Sequence, residues 1–285
     1  MLEIMINGEH VKPENATVSV LDRGFLYGES VYEVIRAKAG KLFAPIIHMQ
    51  RLRYSAAGVG IEIPWDDDFL LAEFEEMIKI LDLPDCAIRL MITRGPGELS
   101  LSQEEKSMPT RVLYGKELIR PEESCYRDGV ALAISSIRKN PAQHSKGALK
   151  TGNYLDNILA LEQARQQNCH EALLLNNEDH VTECTTSNIF WVSGTELYTP
   201  SPRAGVLMGV TRQLVLYLAQ QQKIKVHEGH FPLSQLLRAD EIFITSTSRD
   251  ILPVSKVGDH TYEVGPITQR LIADFPTIGD LEIEF

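Results

Sequence analysis

The sequence predicts a mixed α+β / α/β protein of two domains, a smaller one over 1–118 and a larger one over 129–285, joined by a linker at 119–128. Three observations predict it. A chain of 285 residues is about twice the usual ~150-residue domain. Both halves mix short apolar or alternating stretches with longer ones of helical spacing, and no internal repeat is visible. Between the halves, Ile119 to Asp128 is polar and marked by Pro121, with Arg120, Glu122 and Glu123 around it.

In the first half, Glu3 to Ile6 and Val11 to Lys12 flank Asn7, Gly8 and Glu9 as a hairpin. A turn-rich stretch, Leu21 to Gly28, delivers the chain into the strand Val31 to Arg36. Alternation puts Tyr32, Val34 and Arg36 on one face and Val31, Glu33 and Ile35 on the other. A helix begins at His48, carries Arg51 and stops at Gly58 or Gly60. A second runs from Phe69 to Leu81 with Leu70, Phe74, Met77 and Leu81 as its apolar stripe. Trp65 beside Asp66, Asp67 and Asp68 reads as the cap of that helix rather than a metal site. Ala87 to Thr93 is a strand, followed by a glycine-proline loop from Arg94 to Ser107 that carries Leu99 and Leu101, then the strand Arg111 to Tyr114.

In the second half, Ala131 to Ser135, Glu171 to Leu175, Asn188 to Val192 and Ala239 to Ile244 read as strands. Arg212 to Gln220 reads as a helix. Another helix starts at Leu155, with Leu155, Ile158, Leu159, Leu161 and Ala164 as its apolar face and Asn153 or Thr151 as its cap. Lys150 then precedes a packed element. A desolvated lysine gives up its charge more readily, and the neutral amine is the nucleophile that forms a Schiff base with an aldehyde. Glu183 stands among hydroxyls and an amide, Thr185, Thr186, Ser187 and Asn188. The stretch Ala204 to Thr211 enters a helix whose first backbone amides suit a phosphate. The hydroxyls of Thr245, Ser246, Thr247 and Ser248 at a strand end suit a second phosphate oxygen.

Composition removes other classes. A net charge of −11 argues against nucleic acid or an anionic membrane as partner, since both need a clustered basic surface. Cys86, Cys125, Cys169 and Cys184 lie far apart without ligand spacing, which points to reduced thiols and no metal site. His10, His144, His170, His180, His227, His230 and His260 are scattered in polar contexts and read as surface residues. No apolar run approaches ~18 residues, and the start lacks a signal-peptide pattern, so a soluble cytoplasmic protein is expected.

Taken in order, Tyr27-Gly28, the His48 to Leu52 helix, Arg94 to Gly97, Lys150 to Tyr154, Glu183 to Asn188, Gly209 to Arg212 and Ala239 to Pro253 resemble the class IV pyridoxal-phosphate aminotransferases, or fold type IV. That family holds branched-chain aminotransferases, D-amino-acid aminotransferases and 4-amino-4-deoxychorismate lyase. The resemblance implies pyridoxal 5′-phosphate at the interface of the two domains, and a homodimer whose sites take loops from both subunits. It implies that Lys150 carries the cofactor as a Schiff base and then moves the substrate proton, and that Glu183 faces the pyridine nitrogen. By the same resemblance Tyr154 meets the phenolic oxygen and Leu207 packs on the ring. Arg51, the amides of Val210 and Thr211 and the hydroxyl of Thr247 then hold the phosphate.

The implied substrate-binding set is Tyr32, Val34, Arg36, Arg89, Leu99, Leu101 and Ser248. Valine replaces the glycine that branched-chain enzymes carry between the aromatic and the arginine, which is closer to the D-amino-acid enzymes. Those enzymes use an arginine and a histidine where Leu99 and Leu101 align. Arg89 matches a pocket arginine of the branched-chain pattern, although Ala87 stands where its tyrosine is expected. The expected reaction is amino transfer from an aliphatic, branched-chain amino acid to 2-oxoglutarate, with the lyase or a D-amino-acid transaminase as the alternatives.

Overall fold

The computed structural model describes residues 2–102, 107–139 and 148–278; His144 and positions 103–106 of the leucine-bearing loop lie outside the described residues. The chain forms two compact units. One runs to Ile119 and takes in Leu149–Asn153; the other holds Arg120–Ala148 and the chain from Tyr154 onward.

The first unit contains β1 (Leu2–Ile6), β2 (Glu9–Val11), α1 (Arg23–Tyr27), β3 (Ser30–Lys38), β4 (Lys41–Leu42), α2 (Pro45–Gly58), α3 (Asp67–Leu81), β5 (Asp85–Thr93) and β6 (Arg111–Glu117). Its strands pair antiparallel in the order β2-β1-β6-β5-β3-β4. One face is apolar. Val31, Ile35, Ile88, Leu90, Ile92 and Leu113 meet Met49, Leu52 and Ala56 of α2 and Leu70, Phe74, Met77 and Leu81 of α3. The α3 stripe read from its spacing is thus the core face. Asp66 starts this helix by accepting the Phe69 amide at 2.8 Å, so the aspartate cluster caps it. Strand pleating turns the opposite face into a separate layer, where Tyr32, Val34 and Arg36 lie directly across from Met91, Arg89 and Ala87.

β4 covers β3 only at Ala37 and Lys38. The other end of that edge is paired by the lysine segment: Val31 bridges Thr151, the Tyr32 amide donates to the Lys150 carbonyl at 3.1 Å, and the Gly152 amide donates to the Ser30 carbonyl at 3.0 Å. A Cβ on Gly152 would stand 2.3 Å from Ser30 Oγ, which only glycine avoids.

The second unit contains α4 (Glu123–Asp128), β7 (Val130–Arg138), α5 (Leu155–Gln166), β8 (Glu171–Leu175), β9 (Val181–Cys184), β10 (Asn188–Ser193), β11 (Glu196–Pro200), α6 (Val210–Gln221), β12 (Val226–Gly229), α7 (Leu233–Leu236), β13 (Glu241–Ser246), β14 (Asp250–Val257), β15 (His260–Thr261) and α8 (Pro266–Asp274). Its sheet runs β12-β11-β10-β13-β14-β7-β8-β9, with β15 on β14. β7 lies parallel to both neighbours, and the remaining pairs are antiparallel except β11 with β12. Trp191, Leu173, Ile189, Ile242 and Leu252 lie in its main core.

Three expectations change. Within the segment read as a linker, Glu123–Asp128 is helical and packs on the second unit: Tyr126 donates to the Arg249 carbonyl at 3.0 Å, and Arg120 pairs with Asp250 at 2.9 Å. Its polarity is that of a surface helix. Of the apolar face read for α5, Ala164 is buried and Leu161 half-buried, but Leu155, Ile158 and Leu159 are 67%, 59% and 49% exposed. The helix packs instead through Ala160 and Ala164 against Ala133, Ala172 and Leu174, where small side chains let it approach the sheet closely. Its cap residue is Tyr154, without a side-chain cap bond, so neither Thr151 nor Asn153 caps it.

Candidate active site

Lys150 is held by the first unit's β3 and α2, not by the helix that follows it. Besides the carbonyl bond to Tyr32, its amide donates to Ser55 Oγ at 3.1 Å. Lys150 Nζ donates to Tyr32 Oη at 3.4 Å and lies 4.4 Å from the centre of the Tyr32 ring. The Arg89 guanidinium lies 4.1 Å from the centre of that same ring. Two cations gathered on one buried tyrosine make a locus that attracts a carboxylate. Arg89 Nε is buried with no hydrogen-bond partner among the described residues, and Val34 stands directly opposite Arg89. Arg36, farther along the strand, stacks on Phe43 at 3.8 Å.

The other face of β3 carries a charge among apolar residues. Glu33 and His48 are fully buried and Arg51 nearly so. Arg51 donates from Nε to Glu33 Oε1 at 2.7 Å and from Nη2 to Oε2 at 2.6 Å, while His48 Nδ1 lies 2.7 Å from Oε2. Burial alone pushes the Glu33 carboxyl up, but the Arg51 charge and the bonds from Arg51 and His48 outweigh it and hold it at about 2. Burial pushes His48 down past the pull of Glu33, and the charges of Arg51 and Lys150 act in the same direction. Breaking such a pair by deleting one partner costs on the order of 3–5 kcal/mol, because the other charge is stranded.

In the second unit, Glu183 is the next-to-last residue of β9, and its Oε2 accepts from the Leu207 amide at 2.7 Å and from Asn188 Nδ2 at 3.1 Å. Lys139 contacts Oε1. Asn188 also donates to the Leu207 carbonyl at 2.8 Å, which locks the 207 turn to the start of β10. A Cβ on Gly209 would stand 2.0 Å from Asn188 Oδ1, so glycine is what lets α6 begin here. Gly209 caps α6 without a side-chain bond, and the helix closes first from the Gln213 amide to the Gly209 carbonyl. The amides of Val210 and Thr211 precede that closure, and Thr211 Oγ1 is buried with no hydrogen-bond partner among the described residues. Such a helix start is ready for an anion.

The buried Glu171 joins two loops expected at the site. It accepts from Thr185 Oγ1 at 3.0 Å, Thr186 Oγ1 at 2.7 Å, Ser187 Oγ at 2.7 Å and the Thr186 amide at 2.9 Å, and it pairs with Arg249, which follows Thr247 and Ser248. Burial pushes its carboxyl up, and Arg249 with the Ser187 and Thr186 bonds brings it below the usual range. Tyr154 is half-buried at the start of α5. Leu99 and Leu101 are 73% and 82% exposed, on a loop whose Glu98 and Ser100 carbonyls accept from Arg23 Nη1.

The structure therefore gathers Lys150, Tyr32, Val34 and Arg89 in the first unit, and Glu183, Leu207 and the α6 start in the second. It leaves Leu99 and Leu101 without a buried partner surface. Sequence reasoning missed Glu33, His48, Glu171 and Lys139. The first two were findable: a carboxylate between Val31 and Ile35 on a core face demands a cation, and His48 and Arg51 share one side of α2 at i,i+3. Among the described residues no three His, Cys, Asp or Glu side chains are placed to hold a metal ion, and no helix is long and apolar enough to cross a membrane.

The family model of amino-transferase class IV matches residues 30–257. A Methanocaldococcus jannaschii protein, named provisionally as a branched-chain-amino-acid aminotransferase, is 36% identical over 280 residues, covering 97% of this chain and 96% of its own. The D-alanine aminotransferase of Listeria monocytogenes is 33% identical over 276 residues, covering 95% and 93%. Among solved structures, the T.th. branched-chain amino acid aminotransferase with pyridoxamine 5′-phosphate superposes with a TM-score of 0.87 at 29% identity, covering 96% of this chain and 92% of that one. The 4-amino-4-deoxychorismate lyase of Pseudomonas aeruginosa gives 0.87 at 26% identity, covering 98% and 100%.

Proposed function

Since the chain belongs to the class IV aminotransferases, enzymes of fold type IV that depend on pyridoxal 5′-phosphate, we propose that it moves the amino group of an aliphatic, branched-chain amino acid to 2-oxoglutarate. The observation that carries this reading is the pairing of Arg89 and Lys150 on Tyr32, which offers a cation for the substrate carboxylate beside the reactive amine. The 36% identical relative supports the same class.

The residues fit the cofactor. The unpartnered Thr211 hydroxyl and the amides of Val210 and Thr211 offer a phosphate site in the second unit, and in this reading Arg51 and Thr247 would be further phosphate ligands. Lys150 would be the covalent attachment point, with Glu183 serving the ring nitrogen, Tyr154 the phenolic oxygen and Leu207 the ring face. When bound, pyridoxal 5′-phosphate supplies an electron-poor ring that accepts the pair left when the substrate Cα–H bond breaks. Lys150 Nζ takes that proton, oriented by Tyr32 Oη. In this reading Arg89 would hold the α-carboxylate, Val34, Arg36 and Ser248 would be further substrate contacts, and the Glu183 carboxylate would keep the proton on the ring nitrogen. The four cysteines are free, which suits a reducing cytoplasm.

A panel of L- and D-amino acids with 2-oxoglutarate, read as glutamate formed, tests the substrate. L-valine, L-leucine and L-isoleucine are expected to be used and D-alanine not. Preferred use of D-alanine would establish the second reading, which the D-alanine aminotransferase likeness and Val34 favour. Release of pyruvate from 4-amino-4-deoxychorismate without an acceptor would establish the lyase.

The working form in this reading is a homodimer, because an exposed apolar loop is costly at ~25 cal/mol per Å² and a partner subunit would cover Leu99 and Leu101. One of the two leucines then lines the neighbouring subunit's pocket. Leu101→Asp should raise KM and weaken the dimer. Light scattering that shows a fully active monomer at micromolar concentration rules it out.

A further inference from the structure

We propose that Glu33 is a positioning residue for the phosphate end of the cofactor, acting through Arg51. The inference rests on the reading of Arg51 as a phosphate ligand and goes one residue deeper. Glu33 sits on the core face of β3 between Val31 and Ile35, where its sheet neighbours are aliphatic, a place where a carboxylate is tolerated only when it is paired and hydrogen-bonded. Here it is paired on both oxygens. The Arg51 bonds run in parallel from Nε and Nη2, a two-point grip on one edge of the guanidinium that stops rotation and sets the direction the rest of the plane faces. His48, one turn before Arg51 on α2, fixes the carboxylate from a second direction at 2.7 Å. Arginine is a long side chain with several rotamers, and holding it in one of them before the anion arrives removes an ordering cost from binding.

The sign of the effect separates positioning from charge. Glu33 neutralises part of the Arg51 charge, so if electrostatics alone mattered, its removal would tighten phosphate binding. If orientation decides, removal weakens it. The readout is the ratio of the dissociation constants of pyridoxal and pyridoxal 5′-phosphate for the full chain freed of cofactor. This ratio isolates the phosphate contribution from the rest of the ring.

Glu33→Gln keeps the shape and removes the charge and one strong acceptor. The ratio is expected to fall about tenfold, the scale on which groups that orient a metal's ligands act, with pyridoxal affinity little changed. Glu33→Asp keeps the charge but is too short to grip both nitrogens. It should lower the ratio as well, and it serves as the test if the glutamine variant fails to fold. An unchanged or raised ratio in the folded variant overturns the proposal, as does an equal loss of both ligands accompanying a lower Tm. Arg51→Ala separates the two levels. If it collapses the ratio while the Glu33 variants do not, Arg51 holds phosphate without help from Glu33; if it leaves the ratio intact, the phosphate reading of Arg51 falls first and takes this inference with it.

Discussion

Lys150→Ala is expected to lower turnover by about 10⁴-fold or more, since in the proposed function it removes both a positioned proton carrier, worth ~10²–10⁴, and the point of covalent attachment. The fold should survive. The bonds that hold this segment run through its backbone, from the Lys150 amide to Ser55 Oγ and from the Tyr32 amide to the Lys150 carbonyl, and alanine keeps both. The side-chain interactions with Tyr32 are a long bond to Oη and a contact with its ring. A Tm close to that of the parent protein is therefore expected beside near-zero activity. Borohydride reduction of the parent protein followed by digestion should place a pyridoxyl label on Lys150 and nowhere else. A label on another lysine would overturn the assignment.

Glu183→Gln should reduce kcat by about 10²–10³, the usual loss when a preorganised electrostatic partner is removed, while cofactor occupancy stays near that of the parent. The separation follows from geometry. Glu183 Oε2 accepts from the Leu207 amide and from Asn188, and a glutamine carbonyl can accept both, so the turn at 207 and the start of α6 keep their places. What glutamine cannot supply is the negative charge that the proposed function puts at the ring nitrogen. Parallel loss of activity and occupancy, measured by absorbance of the purified protein, would instead mean that Glu183 serves only to hold the turn.

Local pattern made most elements legible. The β3 alternation separated Tyr32, Val34 and Arg36 from the core, and the α3 spacing identified the residues that pack on the sheet. The failures came where a choice depended on distant partners. On α5 a leucine-rich side and an alanine side compete, and periodicity cannot tell which one meets the sheet; the alanines do, because Ala133 and Ala172 leave room for close approach. The Glu33 carboxylate looked like an ordinary strand residue until α2 brought Arg51 to it. The support of Lys150 was assigned to the adjacent helix, whereas its contact Tyr32 is 118 residues away in sequence. Motif resemblance points to Lys150 and Glu183 because the proposed chemistry restricts residue type there. Lys139 and Glu171 contact Glu183 and the 185–187 turn and carry no such local mark.

The borrowed edge of β3 also sets an order of events during synthesis. Ser30, Val31 and Tyr32 leave the ribosome long before Lys150, Thr151 and Gly152, which complete that edge. At ~5–20 residues per second, a separation of 118 residues corresponds to roughly 6–24 s in which the nascent first unit carries an unfilled strand position. Open strand edges recruit whatever extended chain is near, so this interval is when the growing polypeptide is most exposed to wrong pairing. The lysine segment, when it emerges, finishes the sheet and in the same motion puts the Lys150 amine beside Tyr32; in the proposed function, a chain that has not completed its first unit has no attachment point in place.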